Sequence, residues 1–190
     1  EAVLADAGVE RAHVVGASLG GMIAQQYALD YDRAASLSLL CTTPGGDDAL
    51  PIPEETLEQM FDVPEGADER ETVRHRMRPA FTDDFLDANP ETVERIVDWR
   101  LEQDAGEVAR ESQGAAGVNF DVSDRIGGIE VPTLVVHGTA DRVVPVENGE
   151  LLAETIPGAR FERIEGAPHF VTIEDSDRVN DLLRDFLASA

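Results

Sequence analysis

The two ends of the chain alternate between apolar runs of strand length and segments with helical spacing. Near the start, an apolar run at residues 12–16 leads directly into helical spacing at residues 21–31, and a second apolar run follows at residues 34–43. The same alternation returns at residues 131–138 and continues to the carboxyl terminus. Strands that alternate with helices are typical of a parallel sheet covered by helices. The pattern therefore predicts an α/β fold.

The middle of the chain differs, because prolines and charged residues break it into short amphipathic segments without strand alternation. Helices are predicted at residues 53–61, 69–81 and 90–103. Two of these segments begin with a proline, which suits the first turn of a helix. We therefore expect residues 1–50 and 123–190 to form a common core around the sheet. Residues 51–122 are expected to form a helical cap inserted above it.

The junction between the first strand and its helix reads GASLGG, with Ser18 as its third residue. A serine hydroxyl is a poor nucleophile unless a base removes its proton. A tight turn lifts the serine above the sheet. We expect Gly16 and Gly20 to lie where a side chain would collide, and Gly21 to let the helix pack closely. The start of the helix also directs N–H groups at a developing oxyanion. The junction is therefore the nucleophile-elbow pattern G-x-S-x-G.

An aspartate and a histidine that could activate such a serine follow two later strands, the aspartate first and the histidine second. Asp141 lies in the turn after the strand at residues 131–138, and His169 lies in the loop after the next strand, ARFERIEG. Sites in open α/β sheets collect in the loops that follow parallel strands. Asp47 and Asp48, which follow the second strand, are alternative acids, and we favour Asp141.

Several other residues compete for catalytic roles. His13 enters its strand at the wrong end, His75 lies in the helical insertion, and His137 at a strand end is expected to cap structure. Cys41 lies in an apolar strand, so we expect a buried small hydrophobe rather than a thiolate nucleophile. Glu174 is expected to make a structural hydrogen bond. The histidine of the GAPHF segment remains the favoured base.

With these segments in order, the chain resembles the α/β-hydrolase fold superfamily. The nucleophile, acid and histidine segments of that family are similar to VVGASLGGMIAQQYAL, VPTLVVHGTADRVVP and GAPHFVTIE, and the resemblance covers essentially the whole chain. It implies Ser18 as nucleophile, His169 as general base and Asp141 as the residue that orients the histidine. It also implies the N–H of Leu19 as an oxyanion-hole donor, and chemistry without a metal ion or organic cofactor.

The segment LSLLCTTPGG and the helical cap resemble the 3-oxoadipate enol-lactonase group and related small-ester hydrolases. This resemblance implies hydrolysis of a small carboxylic ester or lactone through an acyl-enzyme. The same triad also serves carbon–carbon bond hydrolases and cofactor-free perhydrolases, and a non-catalytic small-molecule receptor is an alternative from another class. For substrate binding we expect Val144, Phe170 and Trp99, although Trp99 fits the cap core equally well.

The resemblance also concerns the start of the chain. By the strand count of the family, the residues begin just before the fifth strand, and Glu1 stands where an initiator methionine would be. We therefore expect the carboxyl-terminal portion of a longer α/β-hydrolase, with the earlier strands and the second oxyanion-hole donor upstream.

The charge of the chain restricts its partners. It has 39 acidic and 15 basic residues, a formal net charge of −24, and no lysine. Such a surface disfavours nucleic acid and anionic membranes as partners. The resemblance implies a small-molecule ester or lactone as the partner instead. Acidic residues spread over the whole chain indicate adaptation to a salt-rich cytoplasm. The single cysteine excludes an internal disulfide and agrees with a reducing compartment.

We expect the melting temperature to rise with potassium chloride into the molar range. In dilute buffer, repulsion among carboxylates destabilises the compact state. Salt at about 1 M shortens the screening length to about 3 Å and relieves this repulsion. Thermal unfolding followed by circular dichroism across a potassium chloride series measures the effect. A melting temperature indifferent to salt would contradict the salt-adapted interpretation.

Overall fold

Four parallel strands form one sheet, in which each strand pairs with the next one along the chain. They are β1 (Ala12–Ala17), β2 (Ala34–Leu40), β3 (Thr133–Gly138) and β4 (Arg160–Ile164). All strands point the same way, so their carboxyl ends open onto one edge: Ala17 pairs with Leu40, and Gly138 pairs with Ile164. The α/β fold and the parallel sheet expected from the sequence are confirmed.

Ten α-helices and two short 3-10 helices (Arg78–Ala80 and Ile126–Gly128) accompany the sheet in residues 1–103 and 105–190, the part of the chain that this computed structural model describes. The α-helices are numbered in chain order. They are α1 (Ala2–Asp6), α2 (Leu19–Asp30), α3 (Glu54–Phe61), α4 (Glu69–Met77), α5 (Asp83–Ala88), α6 (Pro90–Glu102), α7 (Glu107–Val118), α8 (Val146–Thr155), α9 (Val171–Glu174) and α10 (Ser176–Ser189). The sequence pattern misses α5 and α9, which are too short to show a helical repeat, and α7, which contains glycines. None of these helices has the length and apolarity needed to cross a bilayer.

The central strands β2 and β3 are buried between helices on both faces, because successive strand residues point to opposite sides, whereas the edge strands β1 and β4 are partly exposed. One face packs against α2 and α8 through a cluster of buried residues: Ala24, Leu37, Leu39, Val122, Ile126, Ile129, Val135, Leu152 and Ile156. The other face packs against α10 through a second cluster: Leu40, Cys41, Leu134, Val136, Ile164, Ala167, Val171, Val179 and Phe186. Each fully buried aliphatic side chain of this size contributes about 1.5–3 kcal/mol. These two clusters fix the strands and therefore the positions of the loops at their ends.

Helices α3 to α7 lie between β2 and β3, and no strand occurs among the described residues of that part. Their own core contains the buried side chains of Met77, Phe81, Val93, Ile96 and Val97. The N–H of Phe170 donates to the carbonyl of Ala80 (2.9 Å). The N–H and the hydroxyl of Thr82 both donate to the carboxylate of Glu174 (2.8 and 2.7 Å). The expected structural hydrogen bond of Glu174 is therefore present, and it helps to fasten the helical part to the loop after β4.

The turn between β1 and α2 is tight, and Ser18 in it has a positive φ of 52°. A Cβ at Gly16 would lie 2.2 Å from the carbonyl oxygen of Gly20, and a Cβ at Gly21 would lie 2.6 Å from the side chain of Thr42. A Cβ at Gly20 would meet no heavy atom within 4 Å. The collision expected at Gly20 is therefore wrong, because its missing side chain would point into open space. Close packing requires glycine at the other two positions.

We expect Gly16→Ala to destabilise the fold by about 1–3 kcal/mol or more, because the new methyl group meets backbone atoms that cannot move aside. Gly20→Ala is the matched control in the same turn, and we expect it to be neutral or stabilising by a few tenths of a kcal/mol, since alanine favours helix over glycine. Urea unfolding of both variants measures the difference. Equal stability of the two variants would contradict the close-packing argument.

Candidate active site

Three polar side chains from the ends of three strands meet at the carboxyl edge of the sheet. Ser18 follows β1, Asp141 follows β3 and His169 follows β4. Nε2 of His169 lies 2.9 Å from Oγ of Ser18, and Nδ1 of His169 lies 2.8 Å from Oδ2 of Asp141. A carboxylate only accepts hydrogen bonds, so Nδ1 carries the hydrogen and the lone pair of Nε2 faces the serine hydroxyl. The structure therefore brings together the three residues that the sequence singled out, in the order serine, histidine, acid.

The backbone of Ser18 is held on both sides. Its N–H donates to the carbonyl of Leu40 at the end of β2 (2.9 Å). Its carbonyl accepts from the hydroxyl of Thr42 (2.8 Å) and from the N–H of Gly21 (2.9 Å). Since Leu19 is the first residue of α2, its N–H belongs to the helix terminus, where N–H groups have no partner within the helix. This N–H therefore needs no partner within the helix and directly follows Ser18 in the chain.

The Asp141 carboxylate is buried and surrounded by donors. Its Oδ1 accepts from the N–H groups of Val143 and Val144 (both 2.8 Å). Burial favours the neutral carboxyl, but hydrogen bonds from His137 and His169, the charge of His169 and the N–H of Val144 outweigh burial. Together they lower the pKa of Asp141 to about 2. The residue is therefore ionised at neutral pH and attracts positive charge on the histidine beside it.

The competing acids and bases lie elsewhere. Asp47 and Asp48 are exposed, whereas Asp141 contacts the histidine. Nδ1 of His13 lies 2.8 Å from the hydroxyl of Ser36, near the opposite end of the strands. His75 lies in α4 and lines a separate cavity of about 700 Å³ among the cap helices, which contains none of the three triad residues. The geometry therefore favours the acid and the base chosen from the sequence.

A cavity of about 250 Å³ opens beside Ser18 and His169. Phe170 lines it, as expected from the sequence, together with Ile96 and Arg100 of the cap and Cys41 after β2. The thiol of Cys41 is buried, and burial followed by the nearby Asp141 charge raises its pKa, so it is not a thiolate. The cavity has an apolar wall and one cationic group.

Trp99 and Val144, which the sequence placed in the substrate site, do not line this cavity. Trp99 is 52% exposed, and the guanidinium of Arg95 lies over its ring, 5.5 Å from the centroid. Val144 is buried in the turn between β3 and α8, residues 139–145, which we call the acid turn because it carries Asp141. The N–H of Val144 donates to the Asp141 carboxylate. The structure thus places both side chains outside this cavity, because the residue type alone does not reveal which way a side chain points.

Arg100 is a residue of this cavity that sequence reasoning missed. Its guanidinium lies over the ring of Phe170, 5.6 Å from the centroid, and partial burial lowers its pKa. No carboxylate partner pairs with it among the described residues, although the chain has 39 acidic side chains. Arg100 is an exposed residue, and an arginine side chain without a counter-ion has free donors for charge-assisted hydrogen bonds.

Cys41, His137 and Asp141 form a second feature that the sequence does not reveal. Their ligand atoms all lie within 4.8 Å of one another, and among the described residues this is the group able to hold a metal ion. In the structure, Nε2 of His137 donates to the carbonyl of Val144 (2.9 Å), so this nitrogen carries a hydrogen and has no lone pair to offer. The cluster is thus joined by hydrogen bonds around the acid.

Comparisons with known proteins agree with this architecture. A family described as alpha/beta hydrolase fold matches residues 1–176 of the chain. The 2-hydroxy-6-oxo-6-phenylhexa-2,4-dienoate hydrolase of Comamonas testosteroni is 31% identical over 189 residues, which cover 95% of this chain and 64% of that protein. The crystal structure of an enol-lactonase from Burkholderia xenovorans superposes with a TM-score of 0.77 at 25% identity, covering 98% of this chain and 69% of that one.

An esterase from Exiguobacterium antarcticum superposes with a TM-score of 0.80 at 22% identity, covering 98% of this chain and 70% of that one. At this identity the likeness shows the fold alone. The chain spans about 64% of the length of the curated relatives that it matches. Since the family match covers most of the chain and the sheet has the matching parallel arrangement, the chain belongs to the α/β-hydrolase fold family.

Proposed function

We propose that this chain carries the catalytic residues of a serine hydrolase that cleaves a small carboxylic ester or lactone through an acyl-enzyme. The observation that carries the proposal is the continuous set of hydrogen bonds from Ser18 through His169 to Asp141. Ser18 is the nucleophile, His169 is the general base, and Asp141 orients the imidazole and stabilises its charged form. This division of roles follows from which atoms carry hydrogens in the resting site.

In the proposed reaction, Oγ of Ser18 attacks the substrate carbonyl carbon while its proton moves to Nε2 of His169. The carbonyl oxygen becomes an oxyanion, and the N–H of Leu19 donates to it. The carbon–oxygen bond to the leaving alcohol then breaks, and that oxygen takes the proton from Nε2. A water molecule hydrolyses the acyl-enzyme by the same route, with His169 again as base.

The substrate class follows from the cavity. Arg100 lies at one side of it without a counter-ion, while Ile96 and Phe170 provide apolar surface. A guanidinium binds a carboxylate through two parallel hydrogen bonds. We therefore propose a substrate that carries a free carboxylate at one end and the scissile carbonyl near Ser18. The cavity volume of about 250 Å³ suits a small molecule.

A second candidate is hydrolysis of a carbon–carbon bond in a 2-hydroxy-6-oxo-dienoate. The names of several relatives favour it, since they are hydrolases of 2-hydroxy-6-oxo-dienoates, which contain a carboxylate and no ester bond. Hydrolysis of such a compound breaks the bond between its ketone carbon and the neighbouring carbon. A direct comparison of a carboxylate-bearing ester with a 2-hydroxy-6-oxo-dienoate, at equal concentrations of titrated enzyme, separates the two candidates.

We expect Ser18→Ala to abolish hydrolysis of short p-nitrophenyl esters in the full-length protein and to leave the fold intact. The hydroxyl is a minor part of the turn, whereas catalysis depends on it. Stoichiometric labelling by a fluorophosphonate, located by mass spectrometry, identifies the reactive serine independently. Loss of labelling should accompany loss of turnover. A variant that keeps more than about 1% of the activity would exclude Ser18 as nucleophile, since loss of a nucleophile typically costs far more than that.

We expect Arg100→Met to lower kcat/KM about tenfold to a hundredfold for a carboxylate-bearing ester, because it removes a charge-assisted hydrogen bond. Hydrolysis of a neutral p-nitrophenyl ester should change little. Arg95→Met is the matched control, because Arg95 lies on the same helix and packs on Trp99 outside the cavity. Equal losses for the charged and the neutral ester would contradict a carboxylate site at Arg100.

A further inference from the structure

His137 near the end of β3 is fully buried and carries a nitrogen without a partner. Its Nδ1 is a buried atom with no hydrogen-bond partner in the structure, and the residue is 0% exposed. An unpartnered polar atom in a protein interior costs free energy that an apolar side chain of the same size would avoid. The histidine is therefore poorly explained as a packing residue.

The other ring nitrogen faces the triad acid. Nε2 of His137 lies 2.9 Å from the carbonyl oxygen of Val144 and 3.3 Å from Oδ2 of Asp141. Both oxygens only accept hydrogen bonds, so Nε2 carries the hydrogen and shares it between them. Oδ2 is the same oxygen that accepts from Nδ1 of His169 (2.8 Å). The ring of His137 therefore contacts the catalytic acid at the oxygen that orients the base.

These contacts close the acid turn from both sides. Oδ1 of Asp141 holds the N–H groups of Val143 and Val144, and His137 holds the carbonyl of Val144 together with Oδ2. A rotation of the Asp141 carboxylate would break hydrogen bonds at both of its oxygens. The turn and the carboxylate therefore move as one unit, with His137 as its link to β3.

Helix α8 fixes the ring of His137 in this orientation. A Cβ at Gly149 would lie 2.5 Å from Nδ1 and 3.0 Å from Cγ of the ring, so the helix backbone packs directly against it. A flipped ring would direct carbon atoms at the carbonyl and the carboxylate and lose both hydrogen bonds. The contact with Gly149 thus leaves the ring no free space on its Nδ1 side, while Nε2 stays on the acid.

We propose that His137 is a positioning residue that acts through Asp141: its Nε2–H holds the carboxylate so that Oδ2 faces Nδ1 of His169. This inference rests on the proposed function, in which Asp141 is the triad acid. His137 does not line the cavity beside Ser18, so it has no contact with substrate. Its removal should lower kcat and leave KM unchanged.

Removal of His137 should also shift the pH dependence. The titratable groups around the Asp141 carboxylate are His137, His169 and the buried thiol of Cys41. With the Nε2–H donor gone, Oδ2 of Asp141 is no longer held towards Nδ1 of His169, so the contact that favours the charged imidazole weakens. The acid limb of kcat/KM should therefore move to lower pH. A smaller fraction of folded protein would lower kcat/KM by the same factor at every pH and would leave the position of the acid limb unchanged.

The test compares His137→Leu, His137→Gln and His75→Leu in the full-length protein, with rates corrected for fluorophosphonate-titrated sites. We expect His137→Leu to lower kcat about tenfold to a hundredfold, the range that misplacement of a catalytic group produces. His137→Gln keeps a donor at the position of Nε2 and should restore most of the activity and the original pH midpoint. His75→Leu is the control, because His75 also has a buried nitrogen without a partner but lies in the cap.

The NMR signals of the His169 ring give a readout that needs no turnover. We expect His137→Leu to shift these signals, because Nδ1 of His169 contacts the released carboxylate, and His137→Gln to preserve them. If the unmodified protein neither labels at Ser18 nor turns over esters, the proposed function fails, and the NMR shift still decides whether His137 positions the Asp141–His169 pair. If His137→Leu does not fold, Gly149→Ala displaces the same ring from its other side and should give the same shift. Unchanged kcat and unchanged His169 signals in a folded variant would overturn the proposal.

Discussion

The site depends on one constraint, the parallel direction of all four strands. Because the carboxyl ends open on one edge, residues far apart in sequence meet there: Ser18 after β1, Asp141 after β3 and His169 after β4. β2 lies between β1 and β3 in the sheet and carries no triad residue. The residues that follow it stabilise the site instead. Thr42 after β2 holds the carbonyl of Ser18, and Cys41 lies beside the acid. An antiparallel partner in any of these positions would send its loop to the opposite edge.

The loop that carries His169 is held between the sheet and the cap. On the sheet side, the N–H of Ala140 in the acid turn donates to the carbonyl of Ala167 (2.9 Å). On the cap side, Phe170 and Glu174 bond to the segment around Thr82. The histidine is therefore placed by contacts to both parts of the chain. Arg100 of α6 packs over the ring of Phe170, the residue that follows His169. The same contacts therefore hold both the cavity wall and the base.

Local sequence signals account for the parallel sheet and for the triad. Strand length, the glycines around Ser18 and the order of the loops are all readable along the chain, and they suffice to choose the three residues. The direction in which a side chain points in the folded protein cannot be read along the chain in this way. Trp99 and Arg100 are neighbours on α6, yet only Arg100 reaches the cavity. Gly20 has open space where a collision was expected. His137 meets the acid only because the turn after β3 folds back onto its own strand.

The charge of the chain sets a condition on the proposed carboxylate site. A net charge of −24 repels an anion that approaches the cavity, and in about 0.1 M salt this repulsion acts over about 10 Å. In about 1 M salt the screening length falls to about 3 Å, so distant carboxylates no longer act and only groups in contact with the substrate matter. Arg100 is such a group, since it lies in the cavity and has no carboxylate partner among the described residues. Concentrated salt therefore removes the long-range repulsion, while the direct contact between a carboxylate and the exposed guanidinium of Arg100 is weakened less, because these two charges touch. On this physical ground, concentrated salt is the condition in which the acidic surface interferes least with the binding of an anion at Arg100.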